Sequence, residues 1–141
     1  MFDEGTERPQ GFGEWLSLLK PPGGAFWDYA ARLYRLEAGY LPDEAKMRKF
    51  VAVCPPVDAV VHCLLLAQFE RSVRDLRSAP SYRSGHVDLF SAAYLPDCDI
   101  FVTHDQRQER FLRDVGAAAG LVTKIRSYRD FRGGIFADRW L

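Results

Sequence analysis

The stretch His86 to Asp105, HVDLFSAAYLPDCDIFVTHD, decides how the chain is read. It reads as a short helix, a sharp turn, a buried strand and a second acidic position. Leu89, Ala92 and Ala93 share one helical face, with Phe90 and Tyr94 beside it. Pro96 is expected to end that helix by forcing Leu95 out of the α region. Ile100, Phe101 and Val102 form a compact apolar run, the pattern expected of a strand buried on both faces. Thr103, His104 and Asp105 sit where the strand would emerge. A second helix follows, with Gln108, Phe111, Leu112 and Val115 at helical spacing. In a parallel α/β sheet, ligands bind outside the carboxyl ends of the strands. Asp88, near the start of the first helix, and Asp105, at the strand end, would repel each other there unless a cation lay between them. Hard oxygen ligands of this kind suit Mg²⁺ or Mn²⁺.

A helix opening with Asp88, followed by Tyr94-Leu95-Pro96 and then Phe101-Val102-Thr103-His104-Asp105, resembles the C-terminal half of a PIN-like domain. The resemblance is clearest from about Asp88 to Phe131. It implies a metal-dependent nuclease acting on RNA, with many members of that family being toxins of toxin–antitoxin pairs. Asp88 matches the acid that opens the family's later helix, and Asp105 the acid of its strand-end T-x-D motif. The resemblance therefore implies Asp88 and Asp105 as metal ligands and as catalytic residues. It implies RNA as substrate, and an antitoxin protein or a second copy of the chain as partner. Thr103 would support a metal-bound water or a substrate phosphate. Arg107 and Arg83 would hold the RNA backbone. The fold expected is α/β and mostly helical, with a small parallel sheet in a PIN-like three-layer arrangement.

The departure lies at the N-terminus. The family begins with a hydrophobic strand that ends in Asp and carries the first metal ligand. Residues 1–13, MFDEGTERPQGFG, are polar and Gly-rich and hold no such strand. Two expectations follow. Either the reading frame starts downstream of the true start, or the domain is a catalytically inactive or truncated scaffold that binds RNA or protein.

The whole chain has 141 residues, enough for one domain, expected as a tail at 1–13, a body at 14–134 and a tail at 135–141. A hydrophobic content of 48% excludes a disordered chain. With 19 basic and 19 acidic residues there is no net charge, so attraction to nucleic acid needs a local basic face. Arg71, Arg74, Arg77 and Arg83 precede Asp88, and Arg107, Arg110 and Arg113 follow Asp105. The bland reading is a pair of solvated helix faces. Cys54, Cys63 and Cys98 have no close pairing and read as reduced thiols of a cytoplasmic protein. Zinc would need more ligands at better spacing than His62, Cys63, Cys98 and His104 provide. No h-region marks a signal peptide, and Ala59 to Ala67 is too short to span a bilayer.

Elsewhere the spacing predicts a turn or two of helix over 14–20 and a breaker at Pro21 to Gly24. It predicts a helix over 26–38 stopped by Gly39. Another opens at Pro42-Asp43-Glu44, with Phe50 to Val53 read as helix in preference to strand. The longest helix runs from Pro55 to about Arg77, its N-terminal half apolar nearly all round and so central. Leu121 to Ile125 reads as a second parallel strand, and Tyr128 to Phe131 closes the fold. Asp105-Gln106-Arg107-Gln108 also fits a D-x-x-Q capping box, which would account for Asp105 without a metal. Asp88 has a similar explanation as a first-turn carboxylate. Asp97 and Asp99 lie at the strand's start, where turn chemistry explains them. Glu109 is a further acid one turn beyond Asp105.

Overall fold

The computed structural model describes Pro9, residues 11–73 and residues 90–136. Helix α1, Phe12–Leu19, starts two residues earlier than its sequence pattern indicates. Phe12 belongs to the body because its ring packs on Trp15 and Phe69, at 6.4 and 6.0 Å. The breaker at Pro21 to Gly24 is tight. A Cβ on Gly24 would run into the Leu19 carbonyl and lie 2.9 Å from the Pro21 oxygen, so only glycine fits.

Helix α2, Ala25–Ala38, buries Phe26 and Ala30 and ends on left-handed Gly39, as expected. Helix α3, Glu44–Val53, is capped by Asp43, whose Oδ1 accepts from the Lys46 amide at 2.8 Å. Phe50 and Val51 are helical, as the sequence suggested.

Helix α4, Pro55–Val73, turns off Cys54, whose carbonyl accepts from the Val57 and Asp58 amides at 2.9 and 3.4 Å. Pro55 and Pro56 have no N–H to lose in that first turn. Its position is central because it carries two apolar faces. Val61 and Leu65 meet Trp15, Leu16, Phe26 and Met47. Cys63 and Leu66 meet Ala92, Leu95, Leu112 and Val115 on the other side. No single helix among the described residues is long and apolar enough to cross a membrane; α3 and α4 pass that test only as a pair bent by 102°.

The region that opened the sequence reading differs from expectation in two ways. Ser91–Asp97 forms a 3-10 helix that runs through Pro96 instead of stopping before it. One absent N–H near the end of so short a helix is tolerated, and the Leu95 carbonyl still receives the Cys98 amide at 3.5 Å. Strand β1, Ile100–Thr103, is only half-buried at Ile100, Phe101 and Val102. It has one partner among the described residues, strand β2, so the two-faced burial its composition suggests is not reached.

Helix α5, Gln106–Ala118, links the strands as a parallel crossover. It ends in a Schellman motif: Leu121 N–H donates to the Gly116 carbonyl at 2.8 Å, Gly120 N–H to Ala117 at 3.3 Å, and Gly120 is left-handed. The second strand is consequently not Leu121 to Ile125 but β2, Lys124–Ser127. It is parallel to β1, in register Ile100↔Lys124 to Thr103↔Ser127. Helix α6, Tyr128–Phe136, follows at once and takes Ile135 and Phe136 out of the expected tail. Among the described residues the result is mostly helical with a two-stranded parallel sheet.

Candidate functional site

The register brings two strand-to-helix junctions side by side. Thr103 lies opposite Ser127, and each strand turns into a helix within two residues. The two helices therefore present their N-terminal, electropositive ends at the same carboxyl edge.

At the first junction Thr103 is buried, and its hydroxyl works locally. It donates to Gln108 Oε1 at 2.5 Å and accepts from the Asp105 amide at 3.1 Å. Asp105 caps α5, with Oδ1 accepting from the Arg107 and Gln108 amides at 2.7 and 3.2 Å. The expected capping box is half made. The Asp105 N–H goes to Thr103 instead of to Gln108, while Gln108 Nε2 donates to Ser91 Oγ at 3.1 Å and ties the 3-10 helix to the junction. Thr103 thus positions Asp105. Because Asp105 takes two of the orphan amides of α5, the helix offers its dipole here more than its N–H groups. Asp105 Oδ2 accepts no hydrogen bond from the described residues.

At the second junction Ser127 Oγ accepts from the Asp130 amide at 3.0 Å and caps α6. The rings of His104 and Tyr128 stack across the gap, 5.1 Å between centroids and 22° between planes. Sequence reasoning missed Ser127, Tyr128 and Asp130. The signal was S-x-x-D at 127–130, a helix-opening pattern hidden by placing the strand three residues too early.

Arg107 is exposed in the first turn of α5. Asp88 and Arg83 lie outside the described residues, as do Arg74 and Arg77. Arg110 is exposed, its Nε 3.5 Å from the Gln106 carbonyl. Arg113 is committed elsewhere: Nη2 pairs with Glu109 at 2.5 Å, and Nε donates to the Ile125 carbonyl at 3.2 Å. Glu109 is buried in that pair, which locks α5 onto β2 and keeps it from the site. Asp97 and Asp99 are exposed at the start of β1, where the Asp99 carbonyl accepts from the Lys124 amide at 2.8 Å.

His62, Cys63, Cys98 and His104 do not gather. No group of three or more His, Cys, Asp or Glu side chains among the described residues is placed to hold a metal ion. His62 is buried with Nδ1 2.8 Å from the Asp58 carbonyl. Burial pushes the Cys63 thiol up to about 12. The Cys98 thiol is raised by burial and by Asp99 and Asp97.

A shallow concavity of about 490 Å³ lies between α1, α4 and α5, lined by Phe12, Leu66, Phe69, Glu70 and Asp114. Burial raises the Asp114 carboxyl there, with Arg110 pulling it back. It holds none of the residues expected at the strand ends. Compared with protein-family models, curated proteins and solved structures, the chain matches none.

Proposed function

We propose that the chain is a PIN-like, metal-dependent ribonuclease working at the carboxyl edge of β1 and β2. The observation that carries this reading is the in-register emergence of Thr103 and Ser127. It gathers Asp105, two helix N-termini and a stacked aromatic pair at the edge where parallel sheets bind ligands. The donor chemistry suits a hard cation, since Asp105 keeps one carboxylate oxygen clear of the cap. Mg²⁺ or Mn²⁺ would be held by that oxygen and by Asp88, with Asp130 as a third acid of the same edge. When bound, such a cation supplies Lewis acidity at a phosphoryl oxygen and lowers the pKa of its water.

The chain's own residues do the rest. Thr103, held by Gln108, fixes the Asp105 backbone, and the Arg107 and Gln108 amides hold its carboxylate. Arg107 and Arg83 would bind phosphates on either side of the scissile bond. An antitoxin or a second copy would be the protein partner. One observation favours the non-hydrolytic alternative, a scaffold that binds RNA: Asp105 Oδ1 is fully used as a helix cap.

Cleavage of single-stranded RNA in Mn²⁺ or Mg²⁺ separates the two. Asn caps a helix as well as Asp, so Asp105→Asn keeps the fold and removes the charge. The expected result is a fall of roughly a hundredfold or more, equivalent to ~3 kcal/mol of lost transition-state stabilisation. Asp88→Asn should fall alike. Equal activity in wild type and Asp105→Asn would leave the scaffold.

A further inference from the structure

We infer that His104 and Tyr128 form a stacking platform for a nucleobase at this edge. The inference rests on the reading of this edge as an RNA site and names the residues that would hold a base.

Three observations carry it. The pair lies at the surface: Tyr128 is 46% exposed and His104 is exposed as well. Neither ring belongs to either core cluster, so their near-parallel arrangement is not a by-product of core packing. The pair is also held by the backbone. His104 is fixed between buried Thr103 and the Asp105 cap, and Tyr128 opens α6 directly after the Ser127 cap. Each ring turns one face to the other, and with both residues exposed the platform would take a third ring on an outer face.

The flanking charges decide what that third ring belongs to. Arg107 and Arg129 are each the second residue of their helix, both are exposed, and they follow His104 by three residues and Tyr128 by one in the chain. Exposed arginines in the first turns of both helices, at the edge that carries the aromatic pair, suit a polyanion whose repeating unit carries a π-face. Base stacking tolerates any sequence because every base has such a face. A duplex keeps its bases stacked on one another and cannot offer one, so the platform selects single strands.

The test is binding of a labelled RNA of about a dozen nucleotides to the full chain, by fluorescence anisotropy with metal chelated so that nothing is cleaved. The expected result is that the single strand binds and the same length of duplex binds markedly less. Tyr128→Ala and His104→Ala should each weaken binding about tenfold, and Tyr128→Phe, which keeps the ring, should restore it. The salt dependence of Tyr128→Ala should match wild type because stacking releases no counterions, whereas Arg129→Ala should flatten it. Equal affinity in Tyr128→Ala, or equal binding of duplex, overturns the platform, as does no binding by the wild-type chain. Cleavage in Mn²⁺ is read separately. Cleavage with KM unchanged in Tyr128→Ala removes the platform and leaves the nuclease. Binding that depends on Tyr128 without cleavage removes the nuclease and leaves the platform.

Discussion

At the residue scale, Asp105 divides its two oxygens between a structural and a chemical role, and two substitutions separate them. Asp105→Ala deletes the cap of α5 and should cost about 1 kcal/mol in urea unfolding, whereas Asp105→Asn should stay within a few tenths. If both variants lose the same stability, the cap is not what the carboxylate supplies. Asp114 gives a prediction in pH. Its carboxyl is raised in the folded chain because burial disfavours the anion. The folded state then holds its proton more tightly than the unfolded chain does. Stability from this group is present at acid pH, falls as pH rises from the ordinary carboxylate range through the raised value, and is level above it. Asp114→Asn should remove that component when unfolding is followed from about pH 3 to pH 6. Asp114 remains exposed at the rim of the concavity, so the component is small, and an unchanged profile would mean that the groove does not desolvate its carboxyl.

Among the elements, the helices were legible and the strands less so, for a physical reason. Helices α2, α3 and α4 announce themselves by apolar spacing, by Asp43 and Pro55 at their starts and by Gly39 at an end. Strand β2 is Lys-Ile-Arg-Ser, with a single apolar residue, and its four-residue length gives alternation little room. The nearby apolar residues drew the expected strand toward Leu121. Yet Leu121 is apolar because it follows the left-handed glycine of a Schellman motif and packs back on the second core, while Val122 is 97% exposed. Leu121→Ala should therefore cost on the order of 1 kcal/mol and Val122→Ala less than about 0.5 kcal/mol. Similar costs at both positions would restore the strand reading. The same misplacement hid Ser127, Tyr128 and Asp130 from the candidate site. Asp105 and Thr103 were legible because Ile100 to Val102 is continuous and a capping pattern follows it. The use of the Thr103 hydroxyl to hold Asp105 was not, since it depends on Gln108 turning toward Ser91.

For the whole molecule, α4 is the shared wall of two cores, and this makes them one unit. Trp15 and Trp27 belong to the first core, whereas Leu112 is fully buried in the second. Leu112→Ala should cost about 2–5 kcal/mol. In a Trp140→Phe background, which leaves Trp15 and Trp27 as the only indoles, the tryptophan fluorescence transition should move together with the loss of helical signal, although the lesion lies in the other core. A tryptophan transition left at its wild-type midpoint would mean that the cores unfold separately. The two cores also fix the carboxyl edge. The second one seats α5 and β2, and the Glu109–Arg113 pair locks them, so the junctions at 103–105 and 127–130 meet in a fixed geometry. The most direct test of that edge as the cation and RNA site is paramagnetic broadening of backbone amide signals on titration with Mn²⁺. Broadening centred on residues 103–107 and 127–130 in the wild-type chain, and lost in Asp105→Asn, is the expected result. Broadening centred elsewhere, or unchanged in Asp105→Asn, would contradict the account.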